Sequence, residues 1–479
     1  MLTFPFARTL HGDIISFNLG MANRHGLIAG ATGTGKTVTL QTLAEQFSEA
    51  GVSVFTADVK GDLSGIALLA DENPKLKKRI DELKIANYTP HGNPVIFWDI
   101  YCQTGHPLRT TIDSMGPLLM GRLLNLNDTQ QGLLNAAFSF AKDESMQLVD
   151  LKDLKSVVEW MGTNADTMKV KYGNIASTSI GAIQRSLLTL KEAGGDQFFG
   201  EPNFDVNQLF QKDASGKGLI HILDATKLVS DPRLYTTFLM WLLTALFEVM
   251  PEVGDQDKPK LTFFFDEAHL MFDSAPKPLL DKVEQLVRLI RSKGVGVYFI
   301  TQSPLDVPED VLGQLGNRVQ HALRAFTPKD QKAVRVAAET FRSNPKLDTA
   351  QAIVELGVGE ALISILDDAG KPTIVERAAI YPPASRIGPI TAAEKTSIIK
   401  SSPFYGQYEQ AVNRQSANEM LEEKMASKVA AAAEVAPKEP GRPRQSATEA
   451  LIKSTARSFG TQVGRQIVKS ILSVLSGKK

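Results

Sequence analysis

The amino-acid sequence predicts an α/β protein with a mainly parallel sheet, a large all-α insertion and a basic helical C-terminal tail. Short apolar runs alternate with helical patterns on both sides of residues 104–215, which is typical of βαβ units. Between 104 and 215 the strand signals disappear and helical patterns follow one another, joined by Gly and Asn. With 43% hydrophobic residues, the 479-residue chain can form a large core.

We expect five regions along the chain. The core is interrupted by the insertion, and the tail begins where Ala, Glu, Lys and Pro become frequent. The regions are an N-terminal arm (1–20), the first part of the core (21–103), the all-α insertion (104–215), the second part of the core (216–390), and a linker with the basic helical tail (391–479).

Charge is distributed unevenly along the chain. The formal net charge is zero, with 53 basic and 53 acidic residues, so the whole molecule has no general attraction for nucleic acid. Residues 441–479 nevertheless contain eight Lys or Arg and one Glu. Such a tail could bind DNA phosphates, an anionic membrane surface or an acidic face of the same protein.

Residues 30–37 fit the phosphate-loop pattern G-x-x-x-x-G-K-[ST] at every fixed position. The loop follows an apolar run, Gly26–Ala29, and opens a helical pattern, Val38–Phe47, so the phosphates would lie at a helix N-terminus. In such a loop the lysine points at the β- and γ-phosphates and the last hydroxyl binds Mg²⁺. We predict that the following residues bind the nucleotide, with Thr37 also a Mg²⁺ ligand: Gly30, Ala31, Thr32, Gly33, Thr34, Gly35, Lys36, Thr37 and Val38.

The other elements follow in chain order. Asp231 and Pro232 form a helix start, since Asp is a good N-cap and Pro suits the first helical position. The predicted strands are 52–58, 94–100, 218–224, 261–267 and 295–302, with a hairpin of 360–366 and 373–379. The predicted helices are 116–141, 150–161, 179–193, 232–250, 279–291 and 327–341.

Two carboxylates, Asp266 and Glu267, follow a run of apolar residues. A buried strand that exposes two acids at its tip is the second half of an ATPase site, although a plain strand end would look the same. Asp266 would hold Mg²⁺ through water, and Glu267 would orient and deprotonate the attacking water. The adjacent glutamate favours a hydrolase that carries an additional strand between the phosphate loop and this pair.

Gln302 stands at the end of the next predicted strand, 35 residues after Glu267. Its amide can donate to a phosphate and hold the attacking water, which suits a sensor of the γ-phosphate. The alternative is a turn residue before Ser303-Pro304.

Phosphoryl transfer also needs positive charge, often an arginine from a neighbouring subunit. We favour Arg291, at the end of its predicted helix, and keep Arg24 as a further phosphate or intersubunit candidate. The other candidates are Arg288, Arg318 and Arg324.

These motifs together resemble the HerA–FtsK superfamily of hexameric DNA-pumping ATPases, and most of all the bacterial HerA-like proteins. The resemblance is carried by residues 30–37, by Asp58 with Lys60-Gly61, by 263–267, and by Arg291–Gly296 running into Thr301-Gln302. It also extends to 94–99, to His106–Arg109 and to the basic tail.

The resemblance implies a RecA-like core, ATP and Mg²⁺ as cofactors, a ring of six subunits, and DNA in the central channel. On that basis Lys36, Glu267 and Gln302 act within one subunit and Arg291 acts on the neighbouring one, and a nuclease is a possible protein partner. Two alternatives stay open: a protein-remodelling or secretion-type ATPase, and a slow nucleotide-dependent assembly scaffold.

The compartment expected from the sequence is the cytoplasm. Cys102 is the single cysteine, so an intramolecular disulfide is excluded and a reducing environment fits. We expect neither a signal peptide at residues 1–10 nor a membrane span, since the most apolar segment, 235–250, is too short.

Overall fold

The computed structural model describes residues 2–254, 256–273 and 277–435. These residues divide into two compact units, one made of 2–110 and 201–411 and the other of 111–200 and 412–435. The first contains a mixed sheet with helices and the second is helical, so the predicted α/β class with a mainly parallel sheet is confirmed.

Twelve strands of the described residues form one sheet. In chain order they are β1 (Thr3–Thr9), β2 (Ile14–Asn18), β3 (Gly26–Ala29), β4 (Ser53–Asp58), β5 (Val95–Asp99), β6 (His106–Pro107), β7 (Ile220–Asp224), β8 (Leu261–Phe265), β9 (Val295–Thr301), β10 (Asn317–Gln320), β11 (Glu360–Ser364) and β12 (Glu376–Ile380). Their order across the sheet is β2-β1-β12-β11-β10-β3-β9-β8-β4-β7-β5-β6.

The eight strands from β10 to β6 are parallel, and the four on the other side pair antiparallel. Every residue of β4, β8 and β9 is buried, as expected for parallel strands covered on both faces. The hairpin predicted over 360–379 is confirmed by β11 and β12.

The helices lie between these strands and in the second unit. They are α1 (Lys36–Glu49), α2 (Pro74–Glu82), α3 (Ile112–Leu123), α4 (Asp128–Asp143), α5 (Leu151–Thr163), α6 (Ala165–Tyr172), α7 (Ser177–Leu190), α8 (Asp196–Phe198), α9 (Pro232–Val249), α10 (His269–Phe272), α11 (Lys277–Ile290), α12 (Glu309–Leu312), α13 (Pro328–Glu339), α14 (Thr349–Glu355), α15 (Ala392–Ser401) and α16 (Ala417–Val435). Among the described residues, no helix is long and apolar enough to cross a membrane.

Helix α1 is held on the sheet by aromatic packing. The ring of Phe47 lies 5.3 Å from that of Phe4, 5.6 Å from that of Phe17 and 5.9 Å from that of Tyr298. All four side chains are buried. This cluster fixes the helix that begins at the phosphate loop.

Local capping explains several helix boundaries. Asp231 accepts the N–H of Leu234 at 3.1 Å and Pro232 is the first residue of α9, as predicted. The single helix predicted over 116–141 is wrong at its start and middle. Helix α3 begins earlier, at Ile112, and is kinked at Gly116, which has a φ of 72°. The chain then turns at Asn125, which has a φ of 53°, and restarts as α4 under an Asn127 cap.

The second unit joins helices that are far apart in sequence. The buried carboxylate of Asp153 accepts hydrogen bonds from the Ser416 hydroxyl at 2.7 Å and the Asn418 N–H at 2.8 Å. These bonds anchor the start of α16 to α5. Residues 412–435 therefore belong to the helical unit. The basic segment 441–479 lies outside the described residues, and the proposed domain boundaries remain a prediction.

Candidate active site

The carboxyl ends of neighbouring parallel strands bring the predicted site residues to one edge of the sheet. The phosphate loop follows β3, Gln302 follows β9, and Asp266 with Glu267 follows β8. Since β9 lies between β3 and β8, Gln302 stands between the phosphate loop and the two acids. Strand β9 is therefore the additional strand expected between the phosphate loop and the two acids.

The phosphate loop needs glycine at two positions. Gly30 has a φ of 154°, and a Cβ there would lie 2.5 Å from the Cβ of His321. Gly35 has a φ of 117°, and its Cβ would approach the backbone of Gly359 to 3.3 Å. Both backbone conformations disfavour a side chain, and at Gly30 the space for a Cβ is occupied as well.

Lys36 is buried at the first turn of α1. Its ammonium group donates to the carbonyl oxygens of Gly30 at 2.6 Å and Ala31 at 3.1 Å. Burial lowers the pKa of Lys36, as does the charge of Lys60, while the carboxylates of Glu267 and Asp266 act in the opposite direction. A triphosphate bound in the loop would supply the negative charge that this buried lysine lacks.

Asp266 is a carboxyl group with a raised pKa. Its Oδ1 accepts the N–H of Glu267 at 2.9 Å, and its backbone carbonyl accepts the Tyr235 hydroxyl at 2.8 Å. Burial and then the charge of Glu267 raise its pKa to about 7. Two adjacent acids with this excess of negative charge form a suitable environment for a divalent cation.

Three side chains surround the carboxylate of Glu267. Lys60 Nζ lies 3.3 Å from Oε1, while His269 Nδ1 lies 3.3 Å and Gln302 Nε2 lies 3.4 Å from Oε2. Glu267 itself is 7% exposed and has a φ of 48°, which is uncommon for a residue with a side chain. Strained conformations of this kind concentrate at functional sites.

Lys60 is presented by a turn that Asp58 organises. The Asp58 carboxylate, at the end of β4, accepts the N–H groups of Gly61 at 2.7 Å and Leu63 at 3.1 Å. Burial, aided by the charges of Asp62 and Asp224, raises the pKa of Asp58 to about 6 despite these bonds. Asp58 and Lys60-Gly61 carried part of the resemblance seen in the sequence, but no role was predicted for Lys60.

No role was predicted for His321 from the sequence. It follows β10, and its ring bridges the Thr39 hydroxyl, 2.8 Å from Nε2, and the Glu360 carbonyl, 2.8 Å from Nδ1. Burial lowers its pKa to about 4, so the ring is neutral at pH 7. These partners require the proton on Nδ1, and they connect the phosphate-loop helix to β11.

The structure does not bring Arg24 and Arg291 to the phosphate loop. Arg24 lies two residues before β3, where its guanidinium would be 3.1 Å from a Cβ on Gly370, and Arg291 lies four residues before β9. Both positions are at the amino ends of strands whose carboxyl ends form the site. A strand of seven residues such as β9 spans about 23 Å, so Arg291 lies at the end of β9 away from this chain's own phosphate loop.

The remaining arginine candidates have other surroundings. Arg288 pairs with Glu284 on α11, and Arg318 donates to the backbone carbonyls of Leu315, Leu312 and Thr340. Arg324 lines a cavity of about 410 Å³ next to residues 31–34 of the phosphate loop.

Comparison with known proteins agrees with this geometry. The family described as Helicase HerA-like C-terminal matches residues 7–442. The DNA double-strand break repair helicase HerA of Saccharolobus solfataricus is 22% identical over 353 residues, or 73% of this chain and 63% of that protein. Its counterpart in Sulfolobus acidocaldarius is 24% identical over 369 residues, or 76% and 66% of the two chains. The chain thus spans slightly less than two thirds of the length of these relatives.

A solved structure with a similar fold illustrates the likeness. VirB4 of Thermoanaerobacter pseudethanolicus superposes with a TM-score of 0.50 at 13% sequence identity, and the match covers 79% of this chain and 96% of that one.

Proposed function

Because this chain belongs to the family of helicase HerA-like C-terminal regions, which confirms the predicted resemblance, we propose that it hydrolyses ATP with Mg²⁺ to drive a DNA translocase or helicase motor. The observation that carries this proposal is the sheet edge at which Lys36, Asp266, Glu267 and Gln302 follow three neighbouring strands. A nucleotide in the loop would have its terminal phosphate beside the two acids.

The residues present fit the proposed cofactors. Lys36 and the N–H groups of the loop would hold the phosphates, and Thr37 with Asp266 would hold Mg²⁺, which supplies positive charge to the phosphates when bound. Burial and then the charge of Glu267 raise the pKa of Asp266 to about 7, and a divalent cation held by Asp266 would oppose both effects, because it favours the ionised carboxylate.

Different residues of the chain would act on the attacking water and on the terminal phosphate during hydrolysis. Glu267 accepts a proton from the attacking water, and Gln302, 3.4 Å from its carboxylate, orients that water and donates to the terminal phosphate. Arg291 of a neighbouring subunit would stabilise the charge of the transition state. This division requires a homo-oligomer, for which we propose a hexamer, and Arg24 remains an intersubunit candidate.

DNA is the proposed polymer because the two relatives described above are named as DNA repair helicases. We also propose a nuclease as a protein partner and the cytoplasm as the location. The basic segment 441–479, with its eight Lys or Arg, offers further phosphate contacts.

The test is the ATPase rate without polymer and with double-stranded or single-stranded DNA, measured at two salt concentrations. We expect stimulation by DNA that weakens at higher salt. Hydrolysis that no DNA stimulates would contradict the motor on DNA and favour a protein-remodelling or secretion-type ATPase; very slow hydrolysis with nucleotide-dependent assembly would favour a scaffold.

A further inference from the structure

Lys60 pairs with Glu267, the proposed base, from the end of strand β4. This strand neighbours β8 on the side opposite to β9. Strand β4 is the neighbour of β8, with Thr56 opposite Phe264, so the residue two positions after β4 reaches the acids that follow β8. Gln302, from β9, approaches Glu267 from the other side. The carboxylate of Glu267 is therefore enclosed between a cation and an amide.

The pair is unequal in its access to solvent. The side chain of Glu267 is 9% exposed, whereas that of Lys60 is 38% exposed. A glutamate held in this way has little freedom of its own, while the long lysine can turn to another anion without moving the backbone. The turn that Asp58 organises fixes the backbone of Lys60, whereas the ammonium group at the end of the side chain can change position.

The local charges favour such a move once phosphates arrive. Lys60 and Lys36 lie close enough for the charge of Lys60 to lower the pKa of Lys36. Burial lowers the pKa of Lys60, and the carboxylates of Asp266 and Glu267 raise it. The net change is upward, so Lys60 stays charged. A terminal phosphate bound between Lys36 and Glu267 would bring two negative charges into the reach of the Lys60 ammonium.

We propose that Lys60 exchanges partners, pairing with Glu267 in the nucleotide-free protein and with the terminal phosphate of bound ATP. This inference rests on the proposed ATPase function. In the first arrangement Oε1 of Glu267 is occupied; in the second it is available to the attacking water.

The exchange is consistent with the balance of the hydrolysis step. The water oxygen forms a bond to the γ-phosphorus as the bond from that phosphorus to the bridging oxygen breaks, and ADP leaves with the bridging oxygen. The water proton passes to Glu267. Lys60 transfers no proton and contributes charge at the terminal phosphate, so ADP lacks the group that it recognises.

The experiment compares the affinities for ADP and for a non-hydrolysable ATP analogue, both with Mg²⁺. The proteins are the wild type, Lys60→Met, Lys60→Arg and, as an exposed control on α2, Lys77→Met. We expect Lys60→Met to reduce the preference for the analogue over ADP by about tenfold, the scale of one charge-assisted hydrogen bond. ADP affinity should stay within about twofold, and Lys60→Arg should retain most of the preference.

An unchanged preference in Lys60→Met, with ADP binding intact, would overturn the exchange and leave the proposed ATPase standing. Equal losses of ADP and analogue would also overturn it, since they indicate a structural role only. If the wild-type protein bound neither nucleotide, the proposed function itself would fail and the exchange with it.

Discussion

The imidazole of His321 lies 2.8 Å from the hydroxyl oxygen of Thr39, one turn along the helix that begins with Lys36. Its other nitrogen lies 2.8 Å from the carbonyl of Glu360 on β11. The β-carbon of His321 also fills the space that a side chain at Gly30 would need. One neutral, buried ring therefore sets the spacing between the phosphate loop, its helix and the antiparallel part of the sheet.

We expect His321→Ala to lower the free energy of unfolding by about 1–3 kcal/mol, because the Thr39 hydroxyl loses its buried partner. ATP affinity should fall as well. Thr39→Ala combined with His321→Ala should cost less than the sum of the single changes, as measured by denaturant unfolding. The control is His11→Ala, at an exposed position. Strictly additive effects would contradict the coupling.

The pKa of Asp266 predicts how the stability of the nucleotide-free protein depends on pH. With a pKa of about 7 when folded and an ordinary value of 3.8, its contribution is present below pH 3.8 and is lost as the pH rises through 7. Asp266→Asn should therefore raise the Tm at pH 8 more than at pH 5. One kcal/mol corresponds to roughly 2–4 °C in a protein of 150–250 residues and to a smaller shift in a longer chain such as this one.

The control for this measurement is Asp310→Asn, an exposed acid on α12. Its effect on the Tm should be small, because substitutions of exposed surface residues usually change stability little. A Tm difference between wild type and Asp266→Asn that does not change from pH 5 to pH 8 would contradict the raised pKa.

Lys36 is expected to lower the stability of the nucleotide-free protein and to strengthen ATP binding. Its charge is buried against loop carbonyls, so Lys36→Met should raise the Tm of the nucleotide-free protein. The same change should weaken ATP binding by about 10- to 100-fold, since a charged hydrogen bond to phosphate is lost. Calorimetry and thermal unfolding measure the two effects, with Lys77→Met as control; unchanged ATP binding would contradict the role of Lys36.

Arg291 is tested by mixing subunits. Arg291→Ala and Glu267→Gln proteins should each be inactive alone, but mixed oligomers should regain part of the ATPase rate, because some sites combine an intact Glu267 with an intact neighbouring Arg291. Exposed Arg288, on helix α11 just before Arg291, gives the control Arg288→Ala, which should stay active alone. No recovery at any mixing ratio would argue against action between subunits.

The sequence predicted those parts of the fold in which one physical signal dominates. The apolar run before Asp266 and the Asp231-Pro232 helix start are local signals, and the structure forms β8 and α9 from them. Parallel strands also made the shared edge predictable, because the carboxyl ends of such strands must meet there.

Strand β10 escaped prediction because it is polar. Its buried Asn317 is satisfied by distant groups: the side chain donates to the carbonyls of Met21 and His25 and accepts the N–H of Leu366. The role of His321, which follows this strand, was hidden with it. No local pattern reports a hydrogen bond between residues that are hundreds of positions apart, and the same holds for Asp153 and Ser416.

Lys60 is an intermediate case. The turn after β4 and its place at the sheet edge could be predicted, but the direction of the lysine could not. That direction depends on β4 being the neighbour of β8, which is a property of strand order.

The most direct test of the account is Mg²⁺-dependent ATP hydrolysis by Glu267→Gln, with ATP binding measured on the same protein. We predict that hydrolysis falls to the background obtained with a chelator while ATP still binds, because Gln keeps the shape of the side chain but cannot accept the water proton. The exposed Glu309→Gln serves as the control and should keep the wild-type rate. Full turnover by Glu267→Gln would contradict the assignment of this edge of the sheet as a hydrolytic ATP site.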